Sequence, residues 1–308
     1  MSRKRVAGIV LIVLVLAAVV AVAVVPTGGG RGRTGDAVAV VHLAGPIQDS
    51  VGSPLGGAAI SPMLVRERLE TAERHGGVRA VVLRLDTPGG TAAASQEVAA
   101  LIAEFPLPVV VSMGDVAASG GYYAAASADR IVAKPATMTG SIGVIMTILD
   151  VQELLDKLGV EVEAVTAGEH KDMLLPGRMT PERRAILQSM ADQLYDQFVT
   201  AVADGRDLSQ QRVRALATGQ PYTGQEALEL GLVDVLGGLD EAVQEAEDLA
   251  GIEDAHVIDL RPSLFEQLFG GPQFGAVQQL LRRGVEGDEI GALRSLLDTV
   301  VAPRYGAP

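Results

Sequence analysis

The sequence alternates short runs rich in Val and Ile with amphipathic stretches between Ala37 and about Leu260. The runs are β-branched and bounded by Gly, Pro or Asp, which is the pattern of buried strands. They predict strands at Ala37–Leu43, Val78–Asp86, Pro108–Met113, Asp129–Ala133 and Val160–Thr166. Strands that alternate with helices predict an α/β fold with a buried sheet and right-handed crossovers.

The stretches between these runs carry helix signals. Ser61 before Pro62, and Thr180 before Pro181, have the form of an N-cap followed by a proline at the first helical position. The predicted helices are Pro62–His75, Thr91–Glu104, Thr180 to about Ala203, Ser209–Leu216, Gly224–Leu230 and Leu239–Ala250. We find no internal repeat. We therefore predict one folded domain at residues 37–260 and a peripheral tail at 261–308.

The N-terminus contains an uninterrupted run of 20 apolar residues at positions 6–25. A helix of that length spans about 30 Å, the thickness of the membrane hydrocarbon core. Three basic residues precede the run, so the positive-inside rule places residues 1–5 in the cytoplasm and everything after Pro26 outside. The alternative is a signal peptide cleaved near Ala21-Val22-Ala23, although 20 residues are long for its apolar part. We predict a transmembrane anchor and a Gly-rich linker at 26–36.

Composition excludes several kinds of site. The formal net charge of −13 argues against binding nucleic acid, and the chain has no Trp and few aromatic residues for stacking on bases. The absence of Cys excludes disulfides, thiolate nucleophiles and Cys-ligated metals. We predict no nucleic-acid partner, no cofactor and no metal.

Ser119 lies in the segment VSMGDVAASGGYYAAAS, residues 111–127. The pattern predicts a strand that ends at Met113, a turn of small residues, and a helix that begins near Gly120. A serine at such a turn projects its hydroxyl over helix N–H groups that have no intrahelical partner and can bind an oxyanion. The alternative is an ordinary N-cap serine in a closely packed helix start.

A second strand-to-helix turn has the sequence Asp86-Thr87-Pro88-Gly89-Gly90 and follows the predicted strand Val78–Asp86. Its proline restricts one dihedral angle, and its glycines allow N–H groups to point into a cleft. Alone, this would be a common turn. Because a strand-end Ser-Gly-Gly follows about 30 residues later, an oxyanion site shared by the two turns is the better interpretation.

A serine nucleophile needs a base. The chain has four histidines, and none lies between Ser119 and Glu169. His42, His75 and His256 are interpreted as ordinary packed or solvated residues.

Lys171 is the alternative base, in the turn after the predicted strand Val160–Thr166. A lysine must lose its proton to accept another, and apolar surroundings favour the neutral amine. Residues 173–175 (Met-Leu-Leu) can form such surroundings. Asp172 is predicted to point away, because a neighbouring carboxylate would stabilise the ammonium.

These motifs, in this order, resemble signal peptide peptidase A, a family of Ser–Lys peptidases. The resemblance covers roughly Ala37 to Ala250 and is carried by DTPGG, GDVAASGGYYAAASADRIVAKPATMTGSIGVI, AGEHKDMLLPGRMTPE and ATGQPYTGQEALELGLVDVLGG. It implies that Ser119 is the nucleophile and Lys171 the general base of a serine endopeptidase. It also implies that the Gly90 and Gly120 amides form the oxyanion hole and that Ser141 orients the lysine.

The resemblance also implies the architecture and the partners. The expected fold is the Clp-protease/crotonase-like superfold, a spiral of strand-strand-helix units behind the transmembrane anchor. A single copy of the domain matches the short form of the family, a ring-like or dome-shaped homo-oligomer whose serine and lysine come from neighbouring protomers. The expected substrates are cleaved signal peptides and other apolar segments on the extracytoplasmic side of the membrane. Family members often carry Asn-Ser in place of Asp86-Thr87. The resemblance therefore implies the role of the glycine amides but does not extend to the contact that the Asp86 side chain makes.

Three other functions are compatible with parts of this pattern. A related membrane Ser–Lys protease cuts an apolar tail of a stomatin-like scaffold. A crotonase-type acyl-CoA enzyme uses the same oxyanion chemistry, but it needs a catalytic Glu or Asp. A scaffold without activity would not need Ser119, Lys171 and both glycine turns.

Overall fold

The computed structural model describes residues 35–49, 59–173, 175 and 179–260. The predicted anchor at 6–25, nearly all of the linker at 26–36 and the tail at 261–308 lie outside the described residues. Within the part that is described, no helix is both long and apolar enough to cross a membrane.

The described residues form one eight-stranded sheet with the strand order β6-β5-β3-β2-β1-β8. Strand β4 pairs with β3, and β7 extends β4. All ladders are parallel except that between β5 and β6. The strands are β1 (Ala37–Ala44), β2 (Val78–Thr87), β3 (Val109–Ala118), β4 (Arg130–Ala133), β5 (Met138–Gly140), β6 (Pro221–Thr223), β7 (Val235–Leu236) and β8 (His256–Leu260).

Helices connect the strands. They are α1 (Pro62–Arg74), α2 (Ala92–Ala103), α3 (Gly120–Ala125), α4 (Gln152–Leu158), α5 (Pro181–Gly205), α6 (Gln210–Leu216), α7 (Gly224–Glu229) and α8 (Leu239–Ala250). Several begin at the residues that the sequence marked: Ser61 accepts the Leu64 N–H at 3.2 Å, and Thr180 accepts the Arg183 N–H at 3.2 Å. These side chains satisfy amides that have no partner inside the helix.

Both faces of the sheet are buried, which explains the nearly continuous apolar strands. In β1, Val41 and Leu43 face a large core that also contains α1, α2, α3 and part of α5. Val38 and Val40 face the opposite side, where Ala242 and Ala246 of α8 cover them. A mostly parallel sheet with helices packed on both faces confirms the predicted α/β class.

Four of the five predicted strands are present, three with small changes of their ends and one, β3, extended by five residues to Ala118. The predicted helices agree within a few residues. The fifth prediction, a strand at Val160–Thr166, is wrong for the single chain. These residues are exposed and pair with no strand among the described residues. The run alternates Val and Glu in its first half, but a strand also needs a neighbouring backbone to pair with.

Candidate active site

Strand β3 carries the chain directly to Ser119. The strand continues to Ala118 instead of ending at Met113, so the predicted turn between them is incorrect. The pairs Leu85↔Met113 and Thr87↔Ala117 show that Asp86 alone opposes three residues of β3. This bulge lengthens β3 and redirects its end.

Asp86 stabilises the bulge. One carboxylate oxygen accepts the Val116 N–H at 3.1 Å, which satisfies an amide that has no ladder partner there. Gly114 allows the close approach, because a β-carbon at this position would lie 2.7 Å from the Asp86 Cβ. The contact of Asp86 is therefore with the backbone of β3, the strand that carries the serine.

Ser119 has an unusual backbone conformation, with φ of 53° and ψ of −124°. Its N–H donates to the Gly140 carbonyl at 2.8 Å, and its carbonyl accepts the Tyr123 N–H at 2.9 Å. Its side chain makes no capping hydrogen bond to α3, so the interpretation as an ordinary N-cap serine fails. A strained residue held by both neighbouring elements is a common feature of functional sites.

The two glycine turns are in contact. Gly89 has a φ of +100°, and a β-carbon on it would lie 2.8 Å from the Gly120 nitrogen and from the Ser119 Cβ. A β-carbon on Gly120 would lie 3.1 Å from the Gly90 nitrogen. The structure thus brings Ser119, Gly90 and Gly120 together, although about 30 residues separate the two turns in sequence.

The backbone around Gly90 directs its amide toward Gly120. Ile47 donates its N–H to the Gly89 carbonyl and accepts the Thr91 N–H with its own carbonyl, both at 2.9 Å. Because alternate peptide groups of an extended chain face opposite sides, the N–H of Gly90 points away from Ile47. The Gly120 N–H is the first of α3 and has no partner within that helix. Two amides are therefore available beside the Ser119 hydroxyl.

Ser141 lines the same cleft as Ser119. It follows β5, with a φ of 50°, and its N–H donates to the Gln220 carbonyl at 3.0 Å. Its hydroxyl makes a long hydrogen bond of 3.4 Å to the Gly219 carbonyl. The cleft has a volume of about 480 Å³ and is lined by Ser119, Ser141, Gly143, Val144, Ile145, Tyr195, Ala217, Thr218 and Gly219.

Tyr195 is a site residue that sequence reasoning missed. It lies on α5, and its hydroxyl donates to the Ala217 carbonyl at 3.0 Å. The Arg214 guanidinium is 5.8 Å from the centre of the Tyr195 ring, and Arg214 also pairs with Asp196 at 2.8 Å. No motif marks this tyrosine, because only the tertiary packing of α5 brings it to the cleft.

Lys171 does not line this cleft in the single chain. It is exposed in a turn, where its N–H donates to the Gly168 carbonyl at 3.2 Å. The predicted apolar enclosure is not formed by the described residues of one protomer: Met173 is half-buried, Leu175 is 46% exposed, and Leu174 lies outside the described residues. The Asp172 carboxylate pairs with Arg183.

The side chains of Glu169, His170 and Glu182 could together hold a metal ion, since their ligand atoms lie within 4.8 Å of one another. All three are exposed. Exposed acidic groups often lie this close without a metal, so the geometry alone does not assign a metal site.

The fold and the cleft define an α/β protein with a strand-end serine beside free amides, and comparison with known proteins identifies it as a peptidase. Residues 104–253 match Peptidase family S49. A protein of Synechocystis sp. that is named as a protease is 42% identical over 199 residues, which cover 62% of this chain and 72% of that protein. The chain belongs to peptidase family S49.

Two further comparisons agree. A protein of Enterococcus faecium, named as signal peptide peptidase SppA, is 36% identical over 198 residues, covering 63% of this chain and 58% of that protein. The fold is similar to that of the 1510-N membrane-bound stomatin-specific protease, solved as a variant with a substrate peptide. The TM-score is 0.51 at 19% identity, covering 76% of this chain and 95% of that one. This likeness confirms the mixed α/β sheet fold.

Proposed function

We propose that this chain is a membrane-anchored serine endopeptidase with a dyad of Ser119 and Lys171. The observation that carries the proposal is the contact between the Gly89-Gly90 turn and the turn that holds Ser119. The proposal includes the Clp-protease/crotonase-like form of the fold, a transmembrane helix at residues 6–25 and a catalytic domain outside the cytoplasm.

The proposed reaction has two steps, formation of an acyl-enzyme and its hydrolysis, and the same groups act in both. The neutral amine of Lys171 accepts the Ser119 proton as the oxygen attacks a peptide carbonyl. The Gly90 and Gly120 amides stabilise the oxyanion of the tetrahedral intermediate. The protonated lysine then donates to the leaving amine. In the second half-reaction the lysine accepts a proton from the attacking water and returns it to the Ser119 oxygen as the acyl bond breaks.

We further propose that Lys171 serves the Ser119 of a neighbouring protomer. Most of the exposed large apolar side chains of the described part lie within residues 145–175, the stretch that contains Lys171. They are Ile145, Leu149, Leu154, Leu158, Val160, Val162, Val165 and Leu175. Exposed apolar residues at this density favour burial against a second copy. The same contact would remove Lys171 from water, which favours the neutral amine.

Ser141 is proposed to orient that amine. Its hydroxyl lines the cleft with Ser119, and its hydrogen bond to the Gly219 carbonyl is long at 3.4 Å. A lysine that enters the cleft offers a stronger, charge-assisted partner whenever it is protonated.

The proposed substrates are extended apolar peptides, including cleaved signal peptides. Val144, Ile145 and Tyr195 give the cleft apolar walls beside the serine. The name of the Enterococcus faecium relative agrees with this substrate class. An anchor would concentrate the enzyme where such peptides remain after secretion.

A second candidate substrate is the apolar tail of a stomatin-like scaffold, because the solved structure with the similar fold is a stomatin-specific protease. At 19% identity that likeness concerns the fold alone. Profiling cleavage of signal peptides and scaffold tails would separate the two. Membership of a peptidase family argues against the acyl-CoA alternative.

The dyad is tested with the full chain in detergent and a fluorogenic apolar peptide. Ser119→Ala and Lys171→Ala should each lower kcat by about 1,000-fold or more, because nucleophile and base act as a unit. The controls are Ser127→Ala and Lys134→Ala, which change a serine and an exposed lysine that the proposal does not use. Wild-type activity in either dyad variant would reject the dyad.

Mixing the two inactive variants tests the shared site. If the serine and lysine come from neighbouring protomers, random co-assembly leaves both groups intact in about a quarter of the sites. Activity should therefore return when Ser119→Ala and Lys171→Ala chains are dissociated, mixed and reassembled. If the dyad forms within one chain, every mixed assembly stays inactive.

A further inference from the structure

Ser95 lies directly against Gly120, although no motif drew attention to it. It belongs to α2, the helix that follows the Gly90 turn, and it is only 1% exposed. A β-carbon on Gly120 would lie 2.2 Å from the Ser95 Oγ and 3.2 Å from the Ser95 Cβ. The serine therefore occupies the space into which a side chain at position 120 would point.

The same side of Gly120 also faces Gly90. A β-carbon at Gly120 would lie 3.1 Å from the Gly90 nitrogen, so Ser95 and the Gly90 amide are neighbours there. The Ser95 hydroxyl is therefore in van der Waals contact with Gly120, whose amide is one of the two beside Ser119.

The Ser95 hydroxyl is itself held in place. It donates to the Thr91 carbonyl at 2.9 Å, one turn back on α2. Thr91 is anchored in turn, because its N–H donates to the Ile47 carbonyl at 2.9 Å. A fixed chain of contacts thus connects the Gly90 turn, through Ser95, to Gly120.

We infer that Ser95 is a positioning residue: its buried hydroxyl sets the spacing between the Gly90 and Gly120 amides. The inference rests on the proposed function, in which those amides bind the oxyanion. Such donors act when they lie about 2.7–3.1 Å from the developing charge. Without the hydroxyl, Gly120 can move toward α2, and the pair no longer fits one oxygen.

A hydroxyl bonded to a carbonyl four residues back is common in helices, and it does not by itself indicate a role in catalysis. Thr200 on α5 makes the same bond, to the Asp196 carbonyl at 2.9 Å, and is exposed. Ser95 differs because its oxygen, besides bonding to the Thr91 carbonyl, packs against Gly120. Thr200 also accepts a 3.3 Å hydrogen bond from the Gln210 side-chain amide, so Thr200→Ala is a control for loss of such a hydroxyl away from Gly120.

The first test compares Ser95→Ala and Thr200→Ala with wild type in the assembled full chain. Ser95→Ala should lower kcat by about tenfold, a fraction of the loss from removing a whole oxyanion donor, with KM within about twofold. Affinity for a peptide boronate, whose Ser119 adduct places an anionic oxygen at the two amides, should fall by a similar factor. Peptide affinity in a Ser119→Ala background should not change. Thr200→Ala should match wild type.

A second variant separates spacing from hydrogen bonding. Ser95→Cys keeps an atom against Gly120, a sulfur somewhat larger than the oxygen that it replaces, but weakens the bond to the Thr91 carbonyl. Its kcat should stay closer to wild type than that of Ser95→Ala. This variant also carries the test if Ser95→Ala does not fold.

Wild-type kcat and boronate affinity in Ser95→Ala would overturn the inference, as would an equal loss of kcat in Ser95→Cys. A loss of peptide affinity in the Ser119→Ala background would also overturn it. These outcomes differ from failure of the proposed function, in which the wild type does not cleave the peptide or Ser119→Ala remains active.

Discussion

The γ-methyl carbon of Thr87 lies 2.4 Å from the position that a β-carbon on Gly121 would occupy. The hydroxyl of the same residue accepts the Gly89 N–H at 3.1 Å. Thr87 is 1% exposed. One buried side chain therefore shapes the Pro-Gly turn with its oxygen and packs against the start of α3 with its methyl.

We expect Gly121→Ala to destabilise the protein. The new β-carbon would overlap the Thr87 methyl, and both groups belong to closely packed elements, so about 1–3 kcal/mol of unfolding free energy should be lost. Denaturant unfolding measures this loss.

The matched experiment is a double-mutant cycle with Thr87→Ser, which removes the methyl and keeps the hydroxyl. If the overlap is the cause, Gly121→Ala costs less in the Thr87→Ser background, with a coupling of about 1 kcal/mol. Additive effects of the two changes would show that the cause lies elsewhere.

Gly90→Ala should abolish activity. Its β-carbon would lie 1.8 Å from the Ile47 carbonyl oxygen, a backbone atom that cannot move without breaking the bridge to the Gly90 turn. Displacing that turn would remove one of the two proposed oxyanion donors, so kcat should fall by about 100-fold or more. Initial rates of peptide cleavage measure the loss.

Gly76→Ala is the control for this substitution, because a β-carbon there meets nothing within 4 Å. It should leave kcat and the unfolding free energy close to wild type. Equal activity in the two alanine variants would contradict the structural role given to the Gly90 turn.

Asp86→Asn should be tolerated, whereas Asp86→Ala should not. Asparagine keeps an oxygen that can accept the Val116 N–H, but alanine leaves an amide in the bulge unpaired. Because Asp86 is exposed and water can replace part of the contact, the alanine variant should lose about 0.5–1 kcal/mol of unfolding free energy. Because the bulge directs the end of β3, its kcat should fall as well. Thermal unfolding and peptide cleavage test both effects, and a stable, active Asp86→Ala variant would remove Asp86 from the explanation.

We expect the free energy of unfolding to fall at alkaline pH because of Tyr122. Burial, the dominant effect, together with the nearby Asp234 carboxylate raises the pKa of its hydroxyl well above the ordinary value of 10.0, and Arg206 opposes this shift. Above about pH 10 the unfolded chain releases this proton while the folded chain retains it. The contribution of the Tyr122 hydroxyl to the free energy of unfolding is therefore complete below pH 10 and declines as the pH rises beyond it.

Tyr122→Phe isolates this effect. It removes the 2.8 Å hydrogen bond to the Leu232 carbonyl and should cost about 1–2 kcal/mol at neutral pH. The difference in unfolding free energy between wild type and Tyr122→Phe should become smaller from pH 10 to pH 11, as measured by urea unfolding. A constant gap across that range would contradict the assignment.

The limits of sequence reasoning appear in β3. The sequence MGDVAAS has a glycine and an aspartate where a turn would be expected, so Met113 was predicted to end the strand. In the structure, Asp86 on β2 accepts the Val116 N–H in the bulge, and β3 continues to Ala118. A contact across two strands decides this, and local propensity does not contain it.

The short strands illustrate the same limit. β5 and β6 have three residues each, and their antiparallel pairing joins Met138 to Thr223 across more than 80 positions. Residues 160–166 have β-branched character but pair with no strand in the part of the chain that the structure describes. Propensity could not separate these cases, because pairing depends on what the rest of the chain places alongside.

The sequence by itself determined the α/β class, the starts of the main helices and the chemical identity of the Ser119 and Gly90 turns. These follow from local rules: periodic burial, N-cap side chains and the backbone freedom of glycine. Only the tertiary structure decided that the Gly90 turn lies against Ser119, that Tyr195 reaches the cleft and that Ser95 supports Gly120. Packing brings such groups together across long stretches of chain, and that proximity is a property of the whole core rather than of any segment.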